Sequence, residues 1–438
     1  MKKRTKRQKA IIKRRIFLSA CAVILTAVIA LLVFVVNSVI GISKKEEPNK
    51  NPPSSEPQKE ETVIPESYAT VLSIGDIMVH KTQLEGAKTG DGYDFSDFFK
   101  EVSPYFKNAD LCVGNLELTF GGSQSGAYRG YPTFNTPDQL ADAIKQSGIN
   151  MLMTANNHAY DTGLYGLKRT AQVLKEKGIS YTGTRETESE PKYAVKEVNN
   201  IKIGIANFSY ETPGDDENRK YLNGGAISAD ANGLINTFSY QRIDKFYTEA
   251  KSIIDGMKKD GAEFITFYLH WGEEYKLTAN TWQKSIAQQL SNMGVNMIIG
   301  GHPHVLEPME LIHSEDGQNT TVCIYSLGNA VSNQRRELIS NSPKGHTEDG
   351  AMFSYKLKKS KDGKVSLFDV DVIPTWVNKY QNGGYKYTIY PIENLKTATE
   401  KYPNIASKLT ESYERTKAIV ATGLTECQTA LGCEITFE

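Results

Sequence analysis

The chain has 438 residues, with 51 Lys or Arg and 51 Asp or Glu, so its formal net charge is zero. Nine of the basic residues lie within positions 1–15, and the remainder of the chain therefore carries a net charge of −9. Because nucleic-acid binding needs a basic face against the phosphates, this composition argues against a nucleic-acid partner.

A long apolar run follows the basic N-terminal residues. Residues 16–42 contain no charged side chain and consist mostly of Ile, Leu, Val, Ala and Phe. As a helix this run would be roughly 40 Å long, which exceeds the ~30 Å hydrocarbon core of a bilayer. We therefore predict a cytoplasmic tail over 1–15 and a single transmembrane helix over 16–42, with the C-terminal part outside the cell. The alternative, a cleaved signal peptide, fits less well because the apolar region of a signal peptide is typically shorter than this run.

The next segment, residues 43–66, has almost no apolar side chains and several prolines. Such a composition cannot bury enough surface to fold, so we predict a disordered stalk. From residue 67 onward, strand-like apolar runs alternate with amphipathic stretches, which is typical of a layered α/β fold. We predict one large domain over 67–380 and a mostly helical C-terminal extension over 381–438.

The predicted elements of this domain follow one another in regular alternation. The predicted strands are Ala69–Ile74, 110–114, Ile149–Met153, Ile201–Phe208, Glu263–Leu269, Val295–Ile299, Val322–Tyr325 and Val365–Val372. The predicted helices are 137–148, Leu164–Lys177, 241–259, 281–292 and 391–421. A capping box opens the first helix, with Thr136 as N-cap and Gln139 three residues later.

Polar side chains that can bind a metal follow five of the predicted strands. In chain order they are Asp76, Asn115 with Glu117, Asn157 with His158, His270, and His302 with His304. The carboxyl ends of strands are where open α/β sheets build their sites. Imidazole nitrogens with carboxylate and amide oxygens are ligands for zinc, manganese or iron. The sequence therefore predicts a divalent metal site at one edge of the sheet.

The His302-Pro303-His304 segment offers two imidazoles close together. If the segment stays extended through Pro303, both rings point to the same side of the chain. Two metal ions ~3.5–4 Å apart would then each take one histidine. Alternatively, the two histidines are structural or exposed.

The same positions carry a family resemblance. The motifs are Gly75-Asp76-Ile77-Met78, Asn115-Leu116-Glu117, Asn156-Asn157-His158 with Asp161 and Gly163, His270-Trp271-Gly272-Glu273-Glu274-Tyr275, His302-Pro303-His304-Val305 and Ser326-Leu327-Gly328-Asn329. In this order they resemble the CapA family of poly-gamma-glutamate capsule biosynthesis proteins, a branch of the calcineurin-like metallophosphoesterase fold. The resemblance implies a layered α/β/β/α domain. It also fits the predicted anchor, since capsule-synthesis members of the family are membrane-attached.

The resemblance implies a role for each matching residue. The implied metal ligands are Asp76, Glu117 (or Asn115), Asn157, His270, His302 and His304, around one or two ions of manganese, zinc or iron. His158 would contact the substrate's oxyanion, and we group Asp161 with it as catalytic. Met78 departs from the pattern because the first motif normally has a histidine there, and a thioether is a poor ligand for a hard ion. His80, two residues on, is a candidate to replace it.

Further residues are candidates for acid–base chemistry and for substrate binding. Glu273 and Glu274 are both candidates for acid–base chemistry, and we choose Glu273 for its proximity to His270. Candidate substrate-binding residues are Asn115, Trp271, Tyr275, Asn329 and Arg129. Each of the last four has a structural alternative, such as core packing for Trp271 and a simple turn for Asn329. Near the C-terminus, Cys427 and Cys433 are placed so that a disulfide is possible.

Three functions are consistent with these residues. The first is participation in synthesis, export or attachment of an anionic polymer such as poly-gamma-glutamate, with capsule synthase subunits as partners. The second is a metal-dependent phosphoesterase acting on extracellular or cell-wall phosphoesters. The third is a non-catalytic scaffold of a synthase complex at the membrane.

Overall fold

The structure, a computed structural model, describes residues 65–216 and 218–437. The predicted tail (1–15), the predicted transmembrane helix (16–42) and most of the predicted stalk (43–66) lie outside these ranges and stay predictions. Within the described ranges, no helix combines the length and the apolar character that a membrane crossing requires.

The described residues form strands and helices in alternation. The strands are β1 Ser67–Ile77, β2 Leu111–Leu116, β3 Met151–Met153, β4 Ser180–Thr182, β5 Tyr193–Val198, β6 Ile201–Tyr210, β7 Tyr221–Leu222, β8 Gly225–Ala226, β9 Thr237–Phe238, β10 Phe264–His270, β11 Met297–Gly301, β12 Leu306–His313, β13 Thr320–Leu327, β14 Asn329–Val331, β15 Asp349–Lys359, β16 Val365–Gln381 and β17 Tyr385–Pro391. The helices are α1 Lys81–Ala87, α2 Ser96–Phe99, α3 Ser103–Asn108, α4 Gln139–Ser147, α5 Gly163–Glu176, α6 Ile243–Lys259, α7 Thr281–Asn292, α8 Leu395–Lys401 and α9 Ala406–Leu431.

Two mixed sheets lie at the centre of the fold. Sheet 1 has the order β17-β16-β15-β1-β2-β3-β4, with β14 beside β1, and its strands β1 to β4 run parallel. Sheet 2 has the order β12-β13-β11-β10-β6-β5, with β9 beside β6, and its strands β6, β10, β11 and β13 run parallel. Strands β7 and β8 form a separate hairpin. The predicted mixed α/β character is confirmed.

Each sheet buries apolar side chains on both faces, because successive residues of a strand point to opposite sides. In β1, Val71 packs between the two sheets, whereas Leu72 packs against helices on the outer face of sheet 1. In β10, Tyr268 likewise faces the space between the sheets, and Phe267 packs in the cluster that includes α6 and α7. The result is four layers in the order helices, sheet 1, sheet 2, helices.

Two sequence-based expectations about local structure are wrong. Helix α4 begins at Gln139 with Asp138 as its N-cap, and the hydroxyl of Thr136 makes no hydrogen bond to any described residue. Asp138 is held there by two hydrogen bonds from Arg169, of 2.8 and 2.7 Å. The helix predicted over 391–421 is instead two helices, α8 and α9, which are separated by a short 3₁₀ turn that begins at Pro403.

The C-terminal segment packs on the same core as the rest of the described chain. The boundary drawn after residue 380 falls inside β16, and β17 extends sheet 1 beyond it. Helix α9 contributes Val420, Leu424 and Cys427 to the apolar cluster between the sheets. Cys427 and Cys433 are both free thiols. All described residues fall within one compact unit, Val63–Glu438.

Candidate metal centre

The carboxyl ends of parallel strands from both sheets meet at one edge of the sandwich. Asp76 lies in β1 and pairs in register with Asn115 of β2, and Glu117 follows β2 by one residue. From sheet 2, His270 is the last residue of β10, and it pairs in register with Gly301 at the end of β11. Packing the two sheets face to face therefore brings residues that are up to 228 positions apart in the chain into contact.

Asp76 is fully buried and receives polar contacts from both sheets. Its Oδ1 accepts a hydrogen bond of 2.7 Å from Asn115 Nδ2, and its Oδ2 accepts one of 3.2 Å from the backbone N–H of His302. Nδ1 of His304 lies 3.1 Å from Oδ2. The close approach requires glycine at position 301, because a Cβ there would lie 2.8 Å from Oδ1 of Asp76.

Glu117 is fully buried, and its carboxylate lacks ordinary hydrogen bonds. Among the described residues, neither of its oxygens has a hydrogen-bond partner. Its nearest polar neighbours are two ring nitrogens, with Oε1 lying 3.5 Å from Nε2 of His270 and 3.7 Å from Nε2 of His304. A buried carboxylate left in this way is costly unless a cation completes its surroundings.

The two histidines after β11 adopt left-handed backbone conformations, with φ of 97° at His302 and 58° at His304. The segment therefore does not stay extended through Pro303. Non-glycine residues pay of order 1–3 kcal/mol for such conformations and keep them mainly at functional sites. Both rings nonetheless reach the cluster, with centroids 5.9 Å apart, and Nδ1 of His302 is buried without a partner among the described residues.

Asn157 joins the cluster from sheet 1 through its side-chain oxygen. Its Oδ1 lies 2.7 Å from Nε2 of His270, and its Nδ2 donates a hydrogen bond of 2.8 Å to Oδ1 of Asn223. Asn223 sits at the turn of the β7–β8 hairpin and was not a candidate from the sequence. The sequence indicates only that Asn223 lies in a turn, because an Asn-Gly pair typically forms a two-residue hairpin turn.

His158 and Asp161 form a pair beside the cluster. Nδ1 of His158 lies 2.8 Å from Oδ2 of Asp161, an oxygen that also accepts a 2.6 Å hydrogen bond from the backbone N–H of Phe134. The Phe134 ring packs edge-on against the His158 ring, with centroids 4.7 Å apart. Because Asp161 accepts from Nδ1, Nε2 is the ring nitrogen available to other molecules.

The pKa of each buried group in the cluster reflects a balance between burial and its charged neighbours. Burial alone would lower the pKa of His304, but the carboxylates of Glu117 and Asp76 outweigh burial and raise this pKa to about 9. Burial alone would raise the pKa of Asp76, but the hydrogen bond and charge of His304 lower it. Burial, together with His270 and His304, holds the pKa of His302 well below its usual value.

These residues fit a divalent cation. Donor atoms of Glu117, His270 and His302 lie within 4.8 Å of one another, and so do donor atoms of Asp76, Glu117 and His304. The two groups share Glu117, whose unpartnered oxygens supply what a bridging ligand needs. Nitrogen and carboxylate ligands together suit zinc, manganese or iron.

A cleft of about 470 Å³ opens next to the cluster. Its lining includes Asn157, His158, Asp161, Asn223 and Glu274, and contains no Lys or Arg side chain among the described residues. A bound molecule would therefore meet the metal-binding cluster and the His158–Asp161 pair together.

Known proteins are similar in sequence to this chain over most of its length. A profile of the family described as bacterial capsule synthesis protein PGA_cap matches residues 70–334, more than half of the chain. The chain belongs to this family. PGA biosynthesis protein CapA of Bacillus subtilis (strain 168) is 29% identical over 322 residues, which cover 72% of this chain and 75% of that protein. Capsule biosynthesis protein CapA of Bacillus anthracis is 27% identical, covering 72% and 70% of the two chains.

Among solved structures, NAD nucleotidase (NadN) of Haemophilus influenzae aligns with a TM-score of 0.42 at 14% identity. The alignment covers 81% of this chain and 61% of that one.

The first motif of this PGA_cap-family chain contributes only Asp76 to the cluster. Met78 is buried, and its backbone N–H pairs with Val331 in the sheet. His80 is the N-cap of α1, where its Nδ1 lies 3.3 Å from Oε1 of Gln83. Burial lowers the pKa of His80 to about 4. His80, the candidate to replace the missing histidine, belongs to none of the donor groups that the described residues form.

The His270–Tyr275 motif also needs two corrections. Trp271 is fully buried, and its Nε1 donates a hydrogen bond of 2.9 Å to the carbonyl of Tyr325, so it anchors the core and does not face a substrate. Glu273 is exposed and accepts a weak 3.5 Å contact from Asn280, whereas Glu274 lies beside the histidines and lines the cleft. Of the two acids, Glu274 is therefore the one at the site.

The remaining candidates mostly position other groups. Asn115 orients Asp76, and Tyr275 lies beside His304 with ring centroids 6.2 Å apart. Asn329 is fully buried and donates to the carbonyl of His304 at 3.3 Å, so it holds the backbone of the histidine segment. Arg129 donates to the carbonyls of Ser125 and Ala127 in its own loop and is absent from the residues that line the cleft.

Proposed function

We propose that this protein takes part in synthesis, export or attachment of an anionic capsule polymer of the poly-gamma-glutamate type, through a metal-dependent reaction. One observation carries the proposal: a buried cluster of carboxylates and imidazoles opens onto a cleft that also presents a histidine–aspartate pair. Membership of the capsule synthesis family supports the biological role. The likeness of its motifs to the metallophosphoesterase pattern supports the reaction type.

The chemistry follows from which groups face the cleft. A divalent cation held by Asp76, Glu117, Asn157, His270, His302 and His304 would polarise a carbonyl or phosphoryl oxygen and activate a nucleophile. Asp161 accepts from Nδ1–H of His158, and the ring, when it also carries a proton on Nε2, can donate that proton in a hydrogen bond to the oxyanion or transfer it to the leaving group. The Phe134 ring, which packs edge-on against the imidazole, restricts the ring to this orientation.

The cleft's charge bears on the substrate. Its lining has two acidic side chains, Asp161 and Glu274, and no Lys or Arg among the described residues. A polyanion would be repelled by this lining unless a cation neutralised the anionic group at the reacting centre. An anionic polymer would therefore need the bound cation in order to enter this cleft.

The protein would work outside the cell, held by residues 16–42 as a single-pass anchor with the basic tail inside. Protease treatment of intact cells should then remove the folded region and leave the N-terminal tail protected. Protection of the folded region in intact cells, with digestion only after lysis, would refute this topology.

The reaction is tested on full-length protein purified in detergent, stripped with a chelator and reloaded with Mn²⁺ or Zn²⁺. Poly-gamma-glutamate chain length and hydrolysis of a model phosphodiester are both measured. We expect metal-dependent turnover of one of them that falls about 100-fold in His302→Ala. His313→Ala, an exposed histidine at the end of β12, is the matched control. Turnover of the phosphodiester alone would favour the phosphoesterase, and normal capsule in cells carrying His302→Ala would favour a scaffold.

A further inference from the structure

We propose that Glu274 is a ligand of the metal centre and supplies the donor that position 78 lacks. The inference rests on the proposed metal-dependent function and gives a metal-binding role to a residue that the sequence offered only for acid–base chemistry. One carboxylate oxygen of Glu274 lies within 4.8 Å of ring nitrogens of both His302 and His304.

The backbone around Glu274 is fastened to the histidine segment at two points. The backbone N–H of Trp271 donates to the carbonyl of Gly301 at 3.1 Å, and that of Tyr275 donates to the carbonyl of Pro303 at 2.8 Å. These two bonds fall on either side of His302. The loop that bears Glu274 and the segment that bears the histidines are therefore held as one unit.

The loop adopts unusual backbone conformations to reach this position. Gly272 has a φ of 88°, and Tyr275, which has a side chain, has a φ of 64°. The buried Trp271 ring anchors the start of the loop through its hydrogen bond to Tyr325. Backbone strain of this kind is retained where the surrounding structure and the function require it.

The centre has room in its donor set for a further carboxylate. The group of Glu274, His302 and His304 shares His304 with the group of Asp76, Glu117 and His304, and each group of three has one donor fewer than the four that a zinc site usually uses. Met78 is buried, and its thioether is an unsuitable ligand for such an ion. Glu274 is exposed and lines the cleft, so it would bind the cation on the side that a substrate approaches.

The neighbouring acid provides a matched control. Glu273 is exposed as well, has the same charge, and contacts Asn280 instead of the histidines. Replacing either acid with glutamine removes one negative charge from the same loop. Only the Glu274→Gln change removes a proposed ligand.

The test is titration of chelator-stripped, full-length protein with Mn²⁺ and Zn²⁺, followed by calorimetry and by the metal content after dialysis. We expect Glu274→Gln to weaken binding about 10–100-fold or to lose one bound ion, and Glu273→Gln to bind within about 3-fold of the wild type. Thermal unfolding of the metal-free proteins should be the same for all three, which would exclude misfolding as the cause.

The outcomes separate this inference from the proposed function. If the wild type binds no divalent ion, the metal-dependent function itself fails. If the wild type binds metal and Glu274→Gln binds it equally well, the centre stands and the role of Glu274 is refuted. Equal weakening by both variants would show a general charge effect and would also refute it.

Discussion

The side-chain amide of Asn157 is held at both of its polar atoms. Its oxygen lies 2.7 Å from His270, and its nitrogen donates to the oxygen of Asn223. Asn223 in turn donates to the backbone carbonyl of Asn157 at 3.0 Å. Asn223 therefore fixes which end of the amide faces the metal centre, as outer partners of metal ligands commonly do.

Substituting Asn223 tests this positioning role. Asn223 has a φ of 49°, so Asn223→Gly removes the side chain without straining the turn. We expect metal affinity to fall about 10–100-fold, since Asn157 loses its orienting partner. Asn200→Gly, at a left-handed residue before β6, is the control and should bind metal normally. Normal metal binding by Asn223→Gly would contradict the role.

At this scale, the sequence predicts residues that follow apolar strands and misses those that depend on loop conformation. Asp76, His270 and His304 come together because parallel strands end at one edge, a rule that needs no coordinates. The choice between Glu273 and Glu274 depends on the left-handed conformations at Gly272 and Tyr275, which residue type alone does not specify.

At the scale of elements, a buried acid links β12 to the start of α7. Glu307 is fully buried, and its Oε2 accepts a hydrogen bond of 2.6 Å from Gln283. Gln283 also accepts from the backbone N–H of Asn280, the N-cap of α7. Burial raises the pKa of Glu307 to about 8, and the hydrogen bond from Gln283 offsets part of this effect.

The raised pKa predicts a pH-dependent stability. Between the unfolded value of 4.5 and about 8, the folded protein keeps a proton on Glu307 that the unfolded chain has released. Stability from this group therefore falls as pH rises through that window and levels off above it. Glutamine at this position does not titrate, so the Glu307→Gln variant escapes this loss. Its free energy of unfolding relative to the wild type should therefore rise by up to about 1.4 kcal/mol for each unit that the pH increases within this window.

Denaturant unfolding at pH 5, 6, 7 and 8 measures this difference. Glu315→Gln, an exposed acid just beyond β12, controls for the substitution itself. A Glu307→Gln difference that stays constant across these pH values would contradict the prediction.

Helices whose apolar residues repeat at helical spacing were predictable from the sequence, and very short strands were not. Helices α5 and α7 lie within one residue of their predicted bounds because their apolar faces repeat at helical spacing. The β7–β8 hairpin has two residues per strand, too few for any periodicity to show. The predicted 391–421 helix failed because Pro403 interrupts the pattern.

At the scale of the whole molecule, helix α9 lies across strand β12 and closes one end of the space between the sheets. The approach is so close that a Cβ on Gly423 would lie 2.0 Å from the carbonyl oxygen of Met309. Arg415 of the same helix forms hydrogen bonds of 2.6 and 2.8 Å with the buried carboxylate of Asp349. Such docking depends on the register of the helix, which the amphipathic pattern does not specify.

Gly423→Ala tests whether this helix belongs to the core. In an isolated helix, replacing glycine with alanine would stabilise the helix by about 1 kcal/mol. Here we expect a net loss of about 2 kcal/mol or more in the free energy of unfolding, because the helix must move off β12. Thr422→Ala, at the exposed neighbouring position, should change stability by about 0.5 kcal/mol or less. Stabilisation by Gly423→Ala in denaturant unfolding would contradict the packing described.

The layered architecture was predictable from alternation and motif order, whereas the union of residues 67–380 and 381–438 in one core was not. The reason is that β17 and α9 find their partners, β16 and β12, through contacts distant in the chain. Periodicity describes each element singly and contains no information about which sheet it joins.

The central claim is that a divalent cation binds where the two sheets meet. Anomalous X-ray scattering from crystals of the protein grown with Zn²⁺ tests it most directly. We predict a peak between Glu117, His270 and His302, about 2.0–2.2 Å from their donor atoms. Well-ordered side chains at these positions without a peak, or a peak only elsewhere on the protein, would contradict it.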